Sequence, residues 1–249
     1  MVKNFKLLIE YDGTQYHGWQ RQNGCRTIQE EIENVLCKMT CSQVVVQGSG
    51  RTDAGVHAMG QTASFLCETR IDPHQFLNGL NSLLPDDIII KDCCYVPDDF
   101  HARFSAISKT YHYRIWNNPT PLAIGRQYIW HIQKALNTNA MQTALMCLIG
   151  THDFIAFEKA GSLRSSTIRS IYKANLIDQH GVLTIEFQAN GFLRCMVRNM
   201  VGTIVDVGRG RLSPDDIPKI LMSKNRRQAG VTAPAAGLFL MEVDYKTCG

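Results

Sequence analysis

The chain has 249 residues, of which 45% are hydrophobic, and its formal net charge is +4. This length allows one large domain or two small ones, and the absence of any apolar run of about eighteen residues excludes a transmembrane helix. Its nine cysteines include no Cys-x-x-Cys pair and no cluster with the spacing of zinc ligands, so we expect a cytoplasmic protein without a bound metal.

The first hundred residues predict the element order β-α-β-β-α-β. Alternating or β-branched runs predict strands over 4–11, 44–47, 61–67 and 88–94. A helix follows Thr27, where residues 27–30 match the capping-box pattern. A second helix begins at Asp72-Pro73, a cap residue followed by proline at the first helical position.

The second half repeats this order. We predict strands over 109–116, 167–177, 182–188 and 238–245, helices over 139–149 and 192–207, and a short extra helix from Ser213. The fold class is therefore α+β, with two ferredoxin-like halves, 1–104 and 105–249, whose antiparallel sheets lie side by side and leave a central cleft.

The two halves differ in charge. Residues 1–104 carry a net charge of −4 and residues 105–249 a net charge of +8. A basic half fits a polyanionic partner such as RNA, and an ordinary solvated surface explains the charge equally well.

Residues 48–65, GSGRTDAGVHAMGQTASF, combine glycines with an arginine and a carboxylate. The glycines allow close approach of the backbone to a ligand. The segment has neither G-x-G-x-x-G before a helix nor the Gly-Lys-Ser/Thr of a Walker A loop, which disfavours a nucleotide-phosphate loop. By residue type alone, Asp53 also suits a turn cap that pairs with Arg51 on the surface.

Four further segments stand out in chain order: YDGTQYHGWQRQ at 11–22, FHARFSAISKTYHYRI at 100–115, GFLRCMVRNMVG at 191–202 and APAAGLFL at 233–240. Together with the glycine loop they resemble the motifs of the tRNA pseudouridine synthase A family, from one end of the chain to the other. The resemblance implies the pseudouridine synthase fold and an isomerase without a metal or cofactor. It further implies a homodimer that holds one tRNA across both subunits and acts at positions 38 to 40 of the anticodon stem-loop.

The resemblance also implies roles for individual residues. Asp53 is the nucleophile, and the motif leaves open whether it attacks uracil C6 or sugar C1′ or abstracts a proton. Arg198 forms a salt bridge to this carboxylate, and Tyr111 stacks on the target base once that base is flipped out. Arg51 fills the space that the base vacates, and Leu238 lines the uracil pocket.

Five basic residues are candidates for contacts to RNA: Arg21, Arg194, Lys224, Arg226 and Arg227. Arg194 lies four positions before Arg198, so on a helix the two guanidinium groups share one face. The alternative for Arg194 is a side chain that reaches solvent past apolar neighbours. For residues 224–227 the alternative is a solvated loop.

Two other functions compete with this interpretation. A non-catalytic RNA-binding module predicts that Asp53→Asn functions as the parent does. A hydrolase with an aspartyl nucleophile would need a metal and a second carboxylate near Asp53, and the loop offers neither.

Overall fold

The computed structural model describes residues 2–159, 161 and 166–246, and within them the chain forms ten strands and five α-helices. This mixture confirms the predicted α+β class. The chain forms two compact units: the first runs to Ile107 and resumes at Leu240, and the second runs from Ser108 to Phe239. The predicted halves, 1–104 and 105–249, differ from these units chiefly in the last strand, most of which groups with the first unit.

The first unit follows the predicted order. Its elements are β1 (Val2–Tyr11), α1 (Ile28–Thr40), β2 (Gln47–Gly48), β3 (His57–Glu68), α2 (Pro73–Leu83) and β4 (Ile88–Val96). β1 pairs antiparallel with both β3 and β4, and Phe5 lies opposite Phe65. Phe5 stacks on Phe65 with ring centroids 5.0 Å apart and meets Phe76 of α2 edge-on at 4.9 Å. The sheet and α2 therefore share one apolar core.

The start of α1 differs from the prediction. Thr27 occupies the N-cap position but makes no side-chain capping hydrogen bond, so the capping box predicted at 27–30 is wrong. Instead, Ile28 N donates to Gly18 O at 3.2 Å, and the next N–H donates to Trp19 O at 3.0 Å. Because the preceding chain supplies these acceptors, the helix begins without a side-chain cap.

The strand predicted over 44–47 is reduced to Gln47–Gly48. Val46 N donates to Glu33 Oε1 at 3.0 Å, and Val46 O accepts from Gln29 Nε2 at 3.1 Å. Both backbone groups of Val46 are thus bonded to side chains of α1. A run of β-branched residues does not extend a strand when its polar backbone groups are used elsewhere.

The second unit contains two strands that the sequence did not predict. Its elements are β5 (Ala106–Asn117) from Ser108 onward, β6 (Trp130–Ile132), α3 (Thr138–Met146), β7 (Gly150–Asp153), β8 (Ile168–Gln179), β9 (Val182–Ala189), α4 (Met196–Gly208) and α5 (Asp216–Ser223), and the first two residues of β10 (Leu238–Tyr245) follow. The strand order is β5-β9-β8-β7, with antiparallel pairing, and β6 pairs in parallel with β5. The unpredicted strands are β6 and β7, which have three and four residues.

The rest of β10 completes the first unit. β10 lies next to β3 in the strand order. The Tyr245 hydroxyl near its end donates to Ala102 O at 2.7 Å. Residues far apart in the sequence therefore meet in the first unit.

The strand predicted over 109–116 is present as β5, and its residues alternate between buried and half-exposed from Tyr111 to Ile115. Tyr111, Tyr113 and Ile115 are buried, whereas His112 and Arg114 between them are half-exposed. One side of this strand therefore faces the core of the second unit, as the two-residue period of a strand requires.

The helix predicted over 192–207 begins later, at Met196. Cys195 precedes it with a left-handed backbone, φ 59°, which interrupts the helical path. Arg194 therefore lies outside the helix, and the prediction that it shares a helical face with Arg198 is wrong. None of the helices in the described part of the chain has the length and apolar character needed to cross a membrane.

Candidate active site

The loop that carries Asp53 joins β2 to β3 and is fixed to β3 at its start. Buried Ser49 donates its hydroxyl to Gln61 Oε1 at 2.6 Å, and its N–H donates to Thr62 O at 2.7 Å. Gln61 in turn donates its side-chain N–H to Gly50 O at 3.0 Å. A buried amide from the strand thus fixes the backbone three residues before Asp53.

The chain around residues 16–19 holds the middle of the same loop. Trp19 N donates to Thr52 O at 3.2 Å, and the Thr52 hydroxyl lies 2.8 Å from the hydroxyl of Tyr11. Gly18 has φ +93°, and a Cβ there would lie 2.4 Å from Thr52 O. Only glycine allows the chain to pass this close to the backbone beside half-buried Asp53.

His57, four residues after Asp53, is buried against the N-terminal motif. Its Nδ1 lies 3.1 Å from Gly13 N and 3.0 Å from Asp12 Oδ1. These contacts connect His57 to the turn after β1, which suits a structural role better than a catalytic dyad with Asp53.

Arg51 lies on the same loop, and its side chain is exposed. Its Nε donates to Gln20 Oε1 at 2.9 Å. Gln20 belongs to the N-terminal motif, so two of the sequence motifs meet in the first unit through this hydrogen bond.

In the second unit, Tyr111 of β5 is 7% exposed and packs edge-to-face against Phe192 at 5.1 Å. Its neighbour Tyr113 is completely buried and donates its hydroxyl to Pro234 O at 2.8 Å. Burial raises the pKa of Tyr113 above its usual range, and the positive charge of Arg198 opposes this shift. The hydroxyl of Tyr113 is therefore a hydrogen-bond donor at every physiological pH.

Arg198 is fixed by the segment that precedes β10. Its Nε donates to Ala233 O at 2.8 Å, and Ala233 N donates to Arg198 O at 3.0 Å. The same segment passes very close to α4, because a Cβ at Gly202 would lie 1.7 Å from Val231 O. Arg198 therefore has a defined position relative to Leu238, which begins β10 and is 5% exposed.

A basic pocket of about 330 Å³ opens beside Arg198. It is lined by Lys159, Cys195, Arg198, Asn199, Arg226 and Thr232. All six residues belong to the second unit. Three of the six side chains are cationic, so the pocket favours an anionic group.

Arg226 uses its guanidinium group within the protein. Nη1 donates to Ala229 O at 3.3 Å and to Gly230 O at 2.9 Å, and Nη2 donates to Asn199 Oδ1 at 2.9 Å and to Thr232 Oγ1 at 3.1 Å. Burial lowers the pKa of Arg226. The side chain thus holds the segment before β10 against α4, a role that the interpretation as an RNA contact did not foresee.

The other candidates for RNA contacts lie at the surface. Arg194 and Arg227 are exposed, and Arg21 is 57% exposed with an ion pair to Glu33 at 3.0 Å. Lys224 is also exposed and forms an ion pair with Asp153 at 3.0 Å.

Two groupings of predicted site residues emerge, one in each unit. Arg51 and Asp53 share a loop of the first unit, while Tyr111, Arg198 and Leu238 belong to the second. The salt bridge from Arg198 to Asp53 stays a prediction.

Comparison with known proteins agrees with the family that the sequence motifs resemble. The model of a family described as tRNA pseudouridine synthase matches residues 7–105 and 144–246. The chain is 44% identical over 244 residues to the tRNA pseudouridine synthase A of Acetivibrio thermocellus, covering 98% of this chain and 100% of that protein. It is 46% identical over 244 residues, with the same coverage, to the protein of that name from Caldicellulosiruptor bescii.

Proposed function

The chain belongs to the tRNA pseudouridine synthase family, and we propose that it isomerises uridines at positions 38 to 40 of the tRNA anticodon stem-loop with Asp53 as the nucleophile. The enzyme is an isomerase. In the reaction the N1–C1′ bond breaks, the uracil turns, and C5 bonds to C1′. The hydrogen on C5 leaves to water as a proton and N1 gains one, so no oxidant or reductant is consumed.

The observation that carries the role of Asp53 is the set of hydrogen bonds that hold its loop. Hydrogen bonds from Ser49, Gln61 and Trp19 fix the backbone at residues 49–52. A nucleophile held in this way needs little reorganisation to reach the uridine. The same carboxylate could attack C6 or C1′ or accept a proton, because each role requires an ionised and positioned group.

The second unit supplies the groups proposed to hold the uracil. Phe192 packs edge-to-face on Tyr111 and so restrains the ring that would stack on the flipped base. Ala233 O holds Nε of Arg198 and so orients the guanidinium proposed to pair with Asp53. A permanent cation beside the carboxylate would keep it ionised when the pocket excludes water. Leu238 would supply apolar contact to the base.

Binding of tRNA is proposed to depend on exposed cations. Arg21, Arg194, Lys224 and Arg227 are exposed, and residues 105–249 carry a net charge of +8. Contacts to phosphate make binding fall steeply as salt rises. The proposal includes a homodimer that holds one tRNA across both subunits. The free cysteines among the described residues and a tRNA substrate both favour a cytoplasmic location.

Release of tritium from tRNA labelled at uracil C5 tests the proposal. We expect the parent protein to release tritium to water and Asp53→Asn to release it at least about a thousandfold more slowly, because the amide is a poor nucleophile and base. Asp98→Asn, which changes an exposed carboxylate in a loop, is the matched control and should retain the parental rate.

Binding of tRNA by Asp53→Asn, measured by filter retention, separates loss of chemistry from loss of structure. Tritium release by Asp53→Asn at the parental rate would remove Asp53 from the mechanism. Binding without release by the parent protein would support the alternative of a non-catalytic RNA-binding module, which the match to enzymes over nearly the whole chain does not favour.

A further inference from the structure

A chain of side-chain hydrogen bonds links exposed Arg51 to a buried carboxylate on α1. Arg51 Nε donates to Gln20 Oε1 at 2.9 Å, and Gln20 Nε2 donates to Gln29 Oε1 at 2.6 Å. Gln29 Nε2 then donates to Glu33 Oε1 at 2.9 Å. We name these four residues, Arg51, Gln20, Gln29 and Glu33, the polar relay. Gln29 and Glu33 are 7% and 5% exposed, so the inner half of the relay is shielded from water.

Backbone groups fix the orientation of the Gln29 amide within the polar relay. Val46 N donates to Glu33 Oε1 at 3.0 Å, and Val46 O accepts from Gln29 Nε2 at 3.1 Å. Arg21 N donates to Gln29 Oε1 at 3.0 Å, so the oxygen of this amide faces Arg21 and Gln20. A rotation of the Gln29 amide by 180° would set its NH₂ group against Arg21 N–H and its oxygen against Val46 O. The backbone therefore permits a single orientation.

The orientation of Gln29 determines that of Gln20. The oxygen of Gln29 accepts, so the NH₂ group of Gln20 must face it, and the oxygen of Gln20 is left to face Arg51. Reversal of the Gln20 amide would oppose two oxygens at one end and two N–H donors at the other. The acceptor offered to Arg51 is thus specified by α1, whose residues are distant from Arg51 in the sequence.

We propose that Gln20 is a positioning residue that aims Arg51 at the RNA, with Gln29 and Glu33 as its buried support. The inference rests on the proposed function, in which Arg51 fills the space left by the flipped base. An exposed arginine samples many rotamers, and a bond at Nε selects among them. That bond uses one of the five N–H donors, and the four on Nη1 and Nη2 can reach a phosphate or a base.

The position of Gln20 suits this role. Its backbone lies beside Trp19, which donates its N–H to Thr52 O in the Asp53 loop and accepts from Gln29 N at 3.0 Å. The segment that carries Gln20 is therefore attached both to the loop and to α1. Any displacement of the Arg51 side chain relative to the backbone of the loop must stretch or break its hydrogen bond to Gln20.

A double-mutant cycle tests the inference. The variants are Gln20→Ala, Arg51→Ala and the double variant, with Gln43→Ala as the matched control because Gln43 is an exposed glutamine of the same unit that lies outside the polar relay. The readouts are kcat and KM for tritium release, and the fluorescence of 2-aminopurine placed next to the target uridine, which rises when the base leaves its stack. Thermal unfolding of each variant reports any general damage.

We expect Gln20→Ala to lower kcat about tenfold and to reduce the 2-aminopurine signal, since a hydrogen bond to a charged group is lost. In the Arg51→Ala background, removal of Gln20 should change kcat less than twofold, because the side chain that it aims is already absent. Gln43→Ala should behave as the parent. Equal effects of Gln20→Ala in both backgrounds, or no effect in the parent, would overturn the inference.

If the proposed function is wrong, the activities of the variants follow a different pattern. Parental kcat in Arg51→Ala would refute the role of Arg51, and with it the inference, whereas the Asp53→Asn result would still decide the catalytic proposal. Loss of activity in Arg51→Ala with parental activity in Gln20→Ala would refute the positioning role alone.

Discussion

Replacement of Arg226 by alanine distinguishes an internal clamp from an RNA contact. The change removes four hydrogen bonds, two of them to backbone carbonyls of Ala229 and Gly230. The other two acceptors are Asn199 Oδ1 and Thr232 Oγ1, which keep a bond to each other at 2.7 Å. Water can replace the donors at the half-exposed carbonyls, so the net loss of unfolding free energy should be about 2–3 kcal/mol, less than four separate charged hydrogen bonds would give.

Urea denaturation followed by tryptophan fluorescence measures this loss. With an m-value of about 2–3 kcal/mol/M, we expect Arg226→Ala to lower the unfolding midpoint by about 1 M. Arg227→Ala is the matched control, because Arg227 is an exposed neighbour, and its midpoint should stay within about 0.2 M of the parent. Arg226→Lys should resemble the alanine variant, since an ammonium group cannot reproduce the planar fork.

The salt dependence of tRNA binding separates the two roles. If Arg227 contacts a phosphate, its removal should reduce the slope of log K against log salt by about 0.7–0.9. Removal of Arg226 should leave that slope unchanged while it weakens the fold. A parental urea midpoint together with a reduced slope in Arg226→Ala would refute the clamp and restore the interpretation as an RNA contact.

Two further predictions concern packing and pH. Gly202→Ala should lower the unfolding free energy by about 3 kcal/mol in urea denaturation, because the new Cβ would lie 1.7 Å from Val231 O and must displace that segment; a parental midpoint would contradict this packing. Burial lowers the pKa of His112 below 6.5, so the unfolded chain binds a proton more readily and stability should fall as pH drops through 6.5. His112→Gln should show a smaller decline between pH 7 and pH 5, and identical declines in the two proteins would exclude His112 as a cause.

Local patterns predicted much of the fold. At the start of α2, Asp72 caps the helix and exchanges bonds with Gln75, and the sequence Asp-Pro was a sufficient signal. The strand predicted over 109–116 is present as β5, with Tyr111 and Tyr113 buried on one side. The residues that define such patterns are neighbours in the chain, so tertiary contacts seldom override them.

Predictions failed where distant segments compete for the same backbone groups. Thr27 has the residue type of a cap, but carbonyls from residues 18 and 19 satisfy the first N–H groups of α1. Val46 has high strand propensity, and its backbone is bonded to Gln29 and Glu33. Neither competitor is visible in a local window.

The candidate site likewise combines features that the sequence predicted with a feature that it did not predict. The glycine loop and the late motifs predicted Asp53 and Arg198 as site residues, whereas the support of Arg51 by Gln20 was not predicted. One signal was available: Gln29 and Glu33 lie one turn apart on the apolar face of α1, where polar residues need a specific partner. The identity of that partner depends on the path of residues 19–21, which the sequence does not specify.

Because β10 returns to the first unit, the two units acquire their complete sets of strands in a particular order during synthesis on the ribosome. Synthesis proceeds from the N-terminus, so the first unit emerges early but lacks its strand beside β3 until residues 240–246 appear. The second unit, residues 108–239, is contiguous and has all its strands sooner. β2 pairs only with Ala63 and Ser64 on that edge of β3. During translation, the part of the edge that β10 covers therefore stays open to chaperones or to mispairing with other nascent chains until β10 pairs with it.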